Sequence, residues 1–312
     1  MTILVCGEAL VDLVPVHDGP LLSPKLGGGP FNVAVSLGRL GSSVAFLSRV
    51  SRDPFGEQIL GSLEGAGVDT SWVQRGDEPT TLAMTTLDDD GSAQYSFYAD
   101  GTADRLVTDP GDLPDEIDVL SFGTLSLLYE PGASMYAGLL HRAHAAGKLT
   151  MVDPNIRPAA IGSTSGDITA DEFRQRFLTW LPAVDILKVS EDDAHWLGLG
   201  RHGTTVDDWL WSGVTAVVMT RGGDGLSVFT AGGELTVPGV KVDVVDTIGA
   251  GDTVHGALLH FLENETIVTS RALSDMGKED WEAALRFAAR AAAITVSRPG
   301  ADPPWASEAP RD

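Results

Sequence analysis

Residues 246–252 combine two glycines with carboxylates directly before an apolar, helix-like run that begins at Thr253. Glycines let the backbone turn sharply, and the first turn of a helix presents free N–H groups and its positive end. Such a turn is suited to a phosphate or a developing anion. A carboxylate there would repel a bound phosphate, so Asp252 needs another use, and proton abstraction from an attacking hydroxyl is the natural one. The segment therefore points to phosphoryl transfer from a nucleotide.

A second glycine-rich turn, residues 27–32, also precedes a run of helical period. Its glycines, among them Gly28, and the amides around Pro30 and Asn32 leave hydrogen-bonding groups free at a helix start. Taken alone, such a turn is more often a tight loop than a ligand site. Asp12, soon after the first apolar strand, offers carboxylate acceptors for sugar hydroxyls, although a lone aspartate there is also typical of a turn.

Two further motifs lie where apolar strands are predicted to end, which is where parallel sheets collect their ligands. Residues 153–157 read Asp-Pro-Asn-Ile-Arg, and Arg157 offers a planar fork for a phosphate or sugar oxygen. Residues 220–225 read Thr-Arg-Gly-Gly-Asp-Gly, and their glycines would let a flat nucleotide lie against the backbone. A β-turn explains this second motif equally well.

Residues 188–193, Lys-Val-Ser-Glu-Asp-Asp, also stand at a predicted strand end and lead into a helix. Ser190 followed by acidic residues is a helix N-cap signature, which is the structural interpretation. The functional interpretation is that Glu191 or Asp193 helps to hold a hydrated Mg²⁺ beside nucleotide phosphates.

The composition excludes several classes of function. Forty-four acidic residues against 21 basic ones give a formal charge of −23, which repels nucleic acid and anionic membranes. Cys6 is the only cysteine, so no intrachain disulfide can form, and the seven histidines show no metal-ligand spacing. No apolar run reaches about 18 residues and no charged leader precedes the first strand, so we expect a cytoplasmic location. The sequence has neither a P-loop nor a dinucleotide-binding glycine fingerprint.

Short apolar runs without clean alternation are separated by amphipathic segments, a pattern typical of an α/β fold with a mostly parallel sheet. We expect a single domain over residues 1–312. This alternation is interrupted in two segments, residues 12–27 and 80–104. The second contains a predicted β-hairpin across the acidic turn 88–91. We expect the two segments to form a small β-lid, although surface hairpins without a gating role fit as well. Predicted strands cover residues 2–6, 44–50, 119–122, 149–152, 186–189 and 216–220; predicted helices cover 32–40, 58–66, 134–146, 172–181, 191–197, 206–211, 250–261 and 281–296.

Residues 246–252 resemble the C-terminal signature of the ribokinase-like (PfkB) carbohydrate kinases, and residues 28–34, Gly-Gly-Pro-Phe-Asn-Val-Ala, resemble the N-terminal one. The spacing between them, the 153–157 element and the tail 297–301 also fit, so the resemblance spans nearly the whole chain. Within the family, the chain is most similar to the bacterial fructokinases. The resemblance implies a three-layer fold, with helices on both sides of the sheet and a β-lid that closes over a sugar.

The resemblance also implies roles for individual residues. Asp252 would be the general base on the sugar hydroxyl, and the N–H groups of Gly249, Ala250 and Gly251 would form the anion hole for the transferred phosphoryl charge. The residues that would contact the sugar are Asp12, Gly28, Asn32, Phe97 and Arg157, of which Arg157 would reach either sugar or phosphate. The residues that would contact the nucleotide are Lys188, Ser190, Thr220, Gly222, Gly225 and Gly251.

Two cations are also implied. Glu191 and Asp193 would contact Mg²⁺ through water. The residues that would contact a K⁺ ion are Asp246, Ile248, Thr295, Arg298 and Gly300.

These implications describe an ATP-dependent sugar kinase that uses Mg²⁺, with K⁺ suggested as a second cation, and that acts on the 6-hydroxyl of D-fructose. A homodimer through a lid edge is suggested as well. Two alternatives lie in the same family: a 2-keto-3-deoxygluconate kinase, which would need extra cationic contacts, and a nucleoside kinase, which would need more aromatic lid surface than Phe97 and Tyr98 provide. A non-catalytic sugar sensor on this fold is the alternative from another class, although it would have no use for a base beside an anion hole.

Overall fold

The computed structural model describes residues 1–16, 21–87, 93–163, 168–201 and 203–309. None of the helices in these ranges is both long enough and apolar enough to cross a membrane. The strands are β1 (Thr2–Cys6), β2 (Leu10–Pro15), β3 (Leu22–Gly27), β4 (Val44–Leu47), β5 (Arg49–Ser51), β6 (Gln74–Gly76), β7 (Leu82–Leu87), β8 (Ala93–Tyr98), β9 (Ile117–Gly123), β10 (Leu149–Asp153), β11 (Ile186–Ser190), β12 (Ala216–Thr220), β13 (Leu226–Thr230) and β14 (Gly233–Val237). The α-helices are α1 (Gly29–Leu40), α2 (Pro54–Gly65), α3 (Gly132–Ala145), α4 (Ala170–Trp180), α5 (Glu191–Leu197), α6 (Val206–Trp211), α7 (Ala250–Asn264), α8 (Ser270–Ser274) and α9 (Lys278–Val296).

The central sheet has eight strands in the order β14-β13-β12-β11-β10-β9-β1-β4. Pairing is parallel from β12 to β4, and β13 and β14 add an antiparallel edge. Helices cover both faces, so strands such as β1 bury both sets of side chains: Ile3 packs with α1, α2, α7 and α9, whereas Leu4 packs with α3 to α6. The predicted three-layer α/β fold is confirmed.

A second sheet has four strands in the order β3-β2-β7-β8. Strand β2 follows β1 after only three residues, pairs antiparallel with β3 and pairs parallel with β7. Strands β7 and β8 form the expected hairpin, with Leu82 opposite Tyr98; its acidic turn, 88–91, lies outside the described residues. The small sheet is therefore built from the two segments expected to form a lid, except that β2 begins at Leu10, two residues before the first of them.

Several predicted boundaries are wrong. The predicted strand 44–50 is two strands, because the chain leaves the central sheet at Ser48: β4 pairs with β1, whereas β5 pairs with β6 in a separate two-stranded sheet. Helix α2 begins at Pro54 rather than at residue 58, because the Asp53 carboxylate accepts the Gly56 N–H at 2.8 Å and caps it. Helices α1, α3, α4 and α9 also begin two or three residues early, since first turns lack the apolar period used to predict them.

Helices α1 and α7 pack against each other at Gly256. A β-carbon at this position would lie 2.8 Å from both Cβ and Oγ of Ser36 and 3.3 Å from the carbonyl oxygen of Val33. Only glycine allows so close an approach. The contact brings the first turns of both helices to the same edge of the central sheet, where β1, β9, β10 and β11 end.

We predict that Gly256→Ala lowers the free energy of unfolding by about 1–3 kcal/mol, because overpacking outweighs the helix propensity that alanine adds. Gly61→Ala is the matched control, since Gly61 lies inside α2 but a β-carbon there meets open space. This control should gain about 0.4–1 kcal/mol. Urea unfolding of both variants measures the difference, and equal stabilisation would contradict the close contact between α1 and α7.

Candidate active site

Helix α7 carries Asp252 in its first turn. Gly249 precedes the helix in a left-handed conformation with φ +75°, and no side chain caps the N-terminus. The Ala250 N–H makes only a long contact, 3.3 Å, to the Thr247 carbonyl oxygen. The first turn of α7 therefore directs backbone N–H groups and the positive helix end toward the space in front of Asp252.

Helix α1 brings Asn32 to the same place. Gly28 precedes this helix with φ +104°, and a β-carbon there would lie 2.8 Å from the Glu8 carbonyl oxygen, so the turn requires glycine. Asn32 Nδ2 donates a hydrogen bond to Asp252 Oδ2 at 2.8 Å. A predicted sugar contact and the predicted base thus meet, although 220 residues separate them in the sequence.

A buried ion pair lies behind Asp252. Lys188 on β11 is 3% exposed, and its Nζ is 2.6 Å from Asp153 Oδ2 at the end of β10. The same ammonium would lie 3.0 Å from a β-carbon at Gly251, so it borders the first turn of α7. Burial alone would lower the pKa of Lys188, but the nearby carboxylates, that of Asp153 first, raise it above its ordinary value. The site therefore contains a fixed positive charge.

Asp252 is itself 8% exposed. Burial raises the pKa of its carboxyl above the ordinary value, while the charge of Lys188 and the hydrogen bond from Asn32 act in the opposite direction. A carboxyl with a raised pKa binds a proton more readily near neutral pH, which suits a general base.

Asp12 on β2 and Arg157 after β10 face the same region. The pKa of Asp12 is raised to about 6. Burial is the main cause, the negative charge of Asp252 adds to it, and the positive charge of Arg157 opposes it. Arg157 is exposed, and its guanidinium donates to the side-chain oxygen of Asn155 at 2.6 Å. Asn155 has a positive φ of 39°, which turns the chain at the end of β10. The structure thus brings Asp12, Arg157 and Asp252 within electrostatic reach of one another.

Phe97 lies on β8 in the small sheet. It is partly buried, and its ring stacks with that of Tyr95 at a centroid distance of 6.3 Å. Strand β8 contacts the short 3₁₀ turn Pro158–Ala160, which directly follows Arg157. The small sheet therefore reaches the loop that carries the predicted sugar and phosphate contact.

The acidic element after β11 is a helix cap. Ser190 Oγ accepts the Asp193 N–H at 3.0 Å and donates to Asp193 Oδ2 at 2.6 Å. Asp193 Oδ1 accepts the Ile156 N–H at 2.7 Å, so both carboxylate oxygens are held by protein groups. Glu191 is exposed and pairs with Arg221 at 3.4 Å. The part of the chain that the structure describes holds no group of three His, Cys, Asp or Glu side chains suited to a metal ion, so this element fits a cation only through water.

The residues expected around K⁺ lie on the loop before α7 and on the last turn of α9 with the loop that follows it, and these segments touch. Asp246 accepts the N–H groups of Ile248 at 3.0 Å and of Gly300 at 2.8 Å. Thr295 is fully buried and bonds to Thr253, and Arg298 pairs with Glu308 at 2.6 Å. These side chains are engaged within the protein, so the backbone oxygens of the two segments are the groups that fit a cation here.

Thr220 ends β12, and the turn after it contains Gly222 and Gly225 at φ +51° and +110°. A β-carbon at Gly225 would lie 2.1 Å from the Val237 carbonyl oxygen, so packing alone requires this glycine. Between β14 and α7 the chain exposes an apolar surface that we did not predict. It consists of Val240, Val242, Val244, Val245 and Ile248.

A model of the pfkB family of carbohydrate kinases matches residues 2–308. The chain belongs to this family. Fructokinase from Rhizobium leguminosarum bv. trifolii is 38% identical to this kinase over 284 residues, 89% of this chain and 84% of the relative. The solved structure of fructokinase with bound ATP from Xylella fastidiosa superposes with a TM-score of 0.88 at 29% identity, over 99% of this chain and 96% of that one. The solved structure of aminoimidazole riboside kinase from Salmonella enterica, complexed with aminoimidazole riboside and an ATP analogue, superposes with a TM-score of 0.79 at 25% identity. The superposition covers 99% of this chain and 97% of that one.

One buried carboxylate of this kinase escaped the sequence analysis. Glu8, 2% exposed, accepts hydrogen bonds from the hydroxyls of Thr124 and Ser126 and from the Ser126 N–H at 3.0 Å. Burial raises the pKa of Glu8 to about 7. The bonds hold Thr124 at φ +56° beside the turn of α1. A charged residue two positions after the apolar run of residues 3–6 was the signal available in the sequence.

We predict that Lys188→Met lowers the free energy of unfolding of this kinase by about 3–5 kcal/mol, because Asp153 becomes a buried, unpaired charge. Adding Asp153→Asn should recover a large part of that loss, and the two single variants with the double variant form a cycle measured by urea unfolding. Arg142→Met is the control, since it breaks a 2.7 Å pair with Asp109 in which both side chains are half-exposed. A Lys188→Met loss no larger than that of the control would contradict the buried pair.

Proposed function

We propose that this protein is an ATP-dependent fructokinase, which transfers the terminal phosphoryl group of ATP to the 6-hydroxyl of D-fructose. The observation that carries the proposal is the setting of Asp252. It is a buried carboxylate in the first turn of α7, bonded to Asn32 and bordered by the Lys188 ammonium. The relatives from Rhizobium and Xylella are fructokinases, which supports fructose as the sugar.

Asp252 accepts the proton of the sugar hydroxyl as that oxygen bonds to the terminal phosphorus of ATP. The bond between this phosphorus and the oxygen bridging to ADP breaks in the same displacement. Negative charge on the transferred group meets the N–H groups of Gly249, Ala250 and Gly251 at the positive end of α7, with Lys188 beside them. The base and the cation therefore act on opposite ends of one reaction: proton removal and charge stabilisation.

The sugar lies between the two sheets in this proposal. Asp12 accepts sugar hydroxyls, Asn32 and the backbone at Gly28 add hydrogen bonds, and Arg157 reaches the sugar or the transferred phosphate. Phe97 packs on the ring when the small sheet closes as a lid over the substrate. The edge strands of that sheet, β3 and β8, are the surfaces for the expected homodimer.

The nucleotide lies along the glycine turn that follows β12, with contacts from Thr220, Gly222 and Gly225. The exposed apolar residues before α7 are the groups proposed to pack against its base, and Lys188 and Ser190 stand at the phosphate end. Mg²⁺ would be held through water by Glu191 and Asp193, where it would neutralise phosphate charge. K⁺ would be held by backbone oxygens of Ile248, Thr295, Arg298 and Gly300, and the carboxylate of Asp246 would hold these backbone segments in place through its bonds to the Ile248 and Gly300 N–H groups.

The test is coupled ADP release with Mg-ATP across fructose, ribose, tagatose, 2-keto-3-deoxygluconate, adenosine, aminoimidazole riboside and no acceptor. We expect fructose to give the highest kcat/KM. An acid substrate should be poor, because Arg157 already lies in the field of Asp12 and Asp252 and a further carboxylate would add negative charge. A higher value for another acceptor would replace fructose and keep the mechanism. Acceptor binding without ADP release from any of them would favour the sugar sensor.

We predict that Asp252→Asn lowers kcat for fructose by about 10²–10⁴, because the amide cannot accept the hydroxyl proton. Fructose binding should persist, since Asn32 and Asp12 are untouched, and calorimetric titration measures it. Asp109→Asn, a substitution of an exposed aspartate far from α7 in the chain, is the matched control and should leave kcat unchanged. Normal turnover by Asp252→Asn would remove Asp252 from the mechanism.

We also predict that kcat/KM for fructose falls as the pH drops below about 6, the pKa of Asp12. Protonation removes the acceptor for sugar hydroxyls, so the value should fall by about tenfold per pH unit once Asp12 is mostly protonated. Asp12→Asn should lower kcat/KM at neutral pH and flatten this part of the profile. If kcat/KM of Asp12→Asn fell at low pH just as it does in the unchanged protein, the loss of activity below about pH 6 would belong to another group.

A further inference from the structure

His255 lies one turn after Asp252 on α7 and is 1% exposed. Its Nε2 is 2.8 Å from Ser121 Oγ on β9, so the ring is fixed in orientation. Its Nδ1 has no hydrogen-bond partner within the described ranges and is 3.8 Å from Asp153 Oδ2, beyond hydrogen-bond distance. The proposed function gives His255 no part, yet a buried ring nitrogen without a hydrogen-bond partner is costly and needs an explanation.

Asp153 has a matching unpaired atom. Its Oδ2 bonds to Lys188, whereas Oδ1 is buried without a partner among the described residues. Asp153 and His255 line one small cavity of about 10 Å³, and Asp252, Ser121 and Thr124 line it too. A cavity of roughly this volume with two to four polar partners is suited to a single ordered water.

We propose that this cavity binds one water molecule, held by His255 Nδ1 and hydrogen-bonded to the carboxylates of both Asp153 and Asp252. Ser121 donates its hydroxyl proton to Nε2, which leaves the ring proton on Nδ1 to donate to the water. The two water hydrogens then serve the two carboxylates, which otherwise repel each other. His255 is thereby a positioning residue for phosphoryl transfer: it acts through the water on the ionised form of Asp252.

The charged groups around the cavity give the proposal a defined direction with pH. On α7 the group is Asp252; β10 contributes Asp153 and β11 contributes Lys188. Arg157 and Asp12 act on Asp252 from the sugar side. Loss of the water removes a donor from two ionised carboxylates and changes none of these charges, so protonation of Asp252 becomes easier and occurs at higher pH.

The test compares His255→Leu, which removes both ring nitrogens, with His255→Asn, which keeps a polar group near the position of Nδ1. The measurement is the single-turnover rate with saturating fructose and Mg-ATP as a function of pH, because bound sugar covers Asp12. We expect the acid limb of His255→Leu to move to higher pH by about one unit. The limb of His255→Asn should stay close to that of the unchanged protein. Lower rates with an unmoved limb would indicate a merely structural role and overturn the proposal.

A crystal structure of the unchanged protein provides a second readout that does not depend on activity. Electron density for one water between His255 and Asp153 is expected, and a dry cavity would overturn the proposal. The inference rests on Asp252 as the proposed base, and Asp252→Asn separates the two failures. Full turnover by Asp252→Asn rejects the base itself, whereas an inactive Asp252→Asn with an unmoved limb in His255→Leu rejects only the water site.

Discussion

The contact between helices α1 and α7 brings together Asn32, the proposed base Asp252 and the N–H groups proposed to bind the transferred phosphate. At Gly256 the two helices leave no room for a β-carbon beside Ser36, and their first turns consequently meet at one edge of the sheet. The hydrogen bond from Asn32 to Asp252 joins these turns. The positive N-terminal ends of both helices therefore lie at this edge, so the backbone alone favours an anion there, before any cationic side chain is considered.

Two buried carboxylates in the site, those of Asp153 and Asp252, have pKa values that are shifted in opposite directions. Burial opposes ionisation of Asp153, but the Lys188 charge outweighs it and holds the pKa of Asp153 below its ordinary value. Asp153 therefore stays ionised as the counter-ion. Asp252 shares the same cation less directly, and burial raises its pKa. This difference between the two pKa values allows Asp153 to remain charged while Asp252 exchanges a proton.

Sequence could predict the local parts of this arrangement. The glycine turns before α1 and α7 and the Ser190 cap are local, because a few consecutive residues specify them. Contacts across the fold could not be predicted from the residues alone. His255 meets Ser121 at a separation of 134 residues, and Glu8 fixes Thr124 through bonds that exist only once β1 and β9 are paired. Such side chains carry no motif of their own, since their partners are chosen by strand order and helix packing.

The element after β11 shows why structural and functional interpretations of a motif need not compete. Its cap geometry is clear, as Ser190 and Asp193 bond reciprocally at the start of α5. The second oxygen of Asp193, Oδ1, accepts the Ile156 N–H at 2.7 Å, which ties the loop after β10 to the end of β11. That loop carries Arg157. The residue pair that caps α5 therefore also fixes the backbone just before Arg157 to the end of the strand that carries Lys188. One carboxylate thus stabilises the start of a helix and joins two of the loops that border the site.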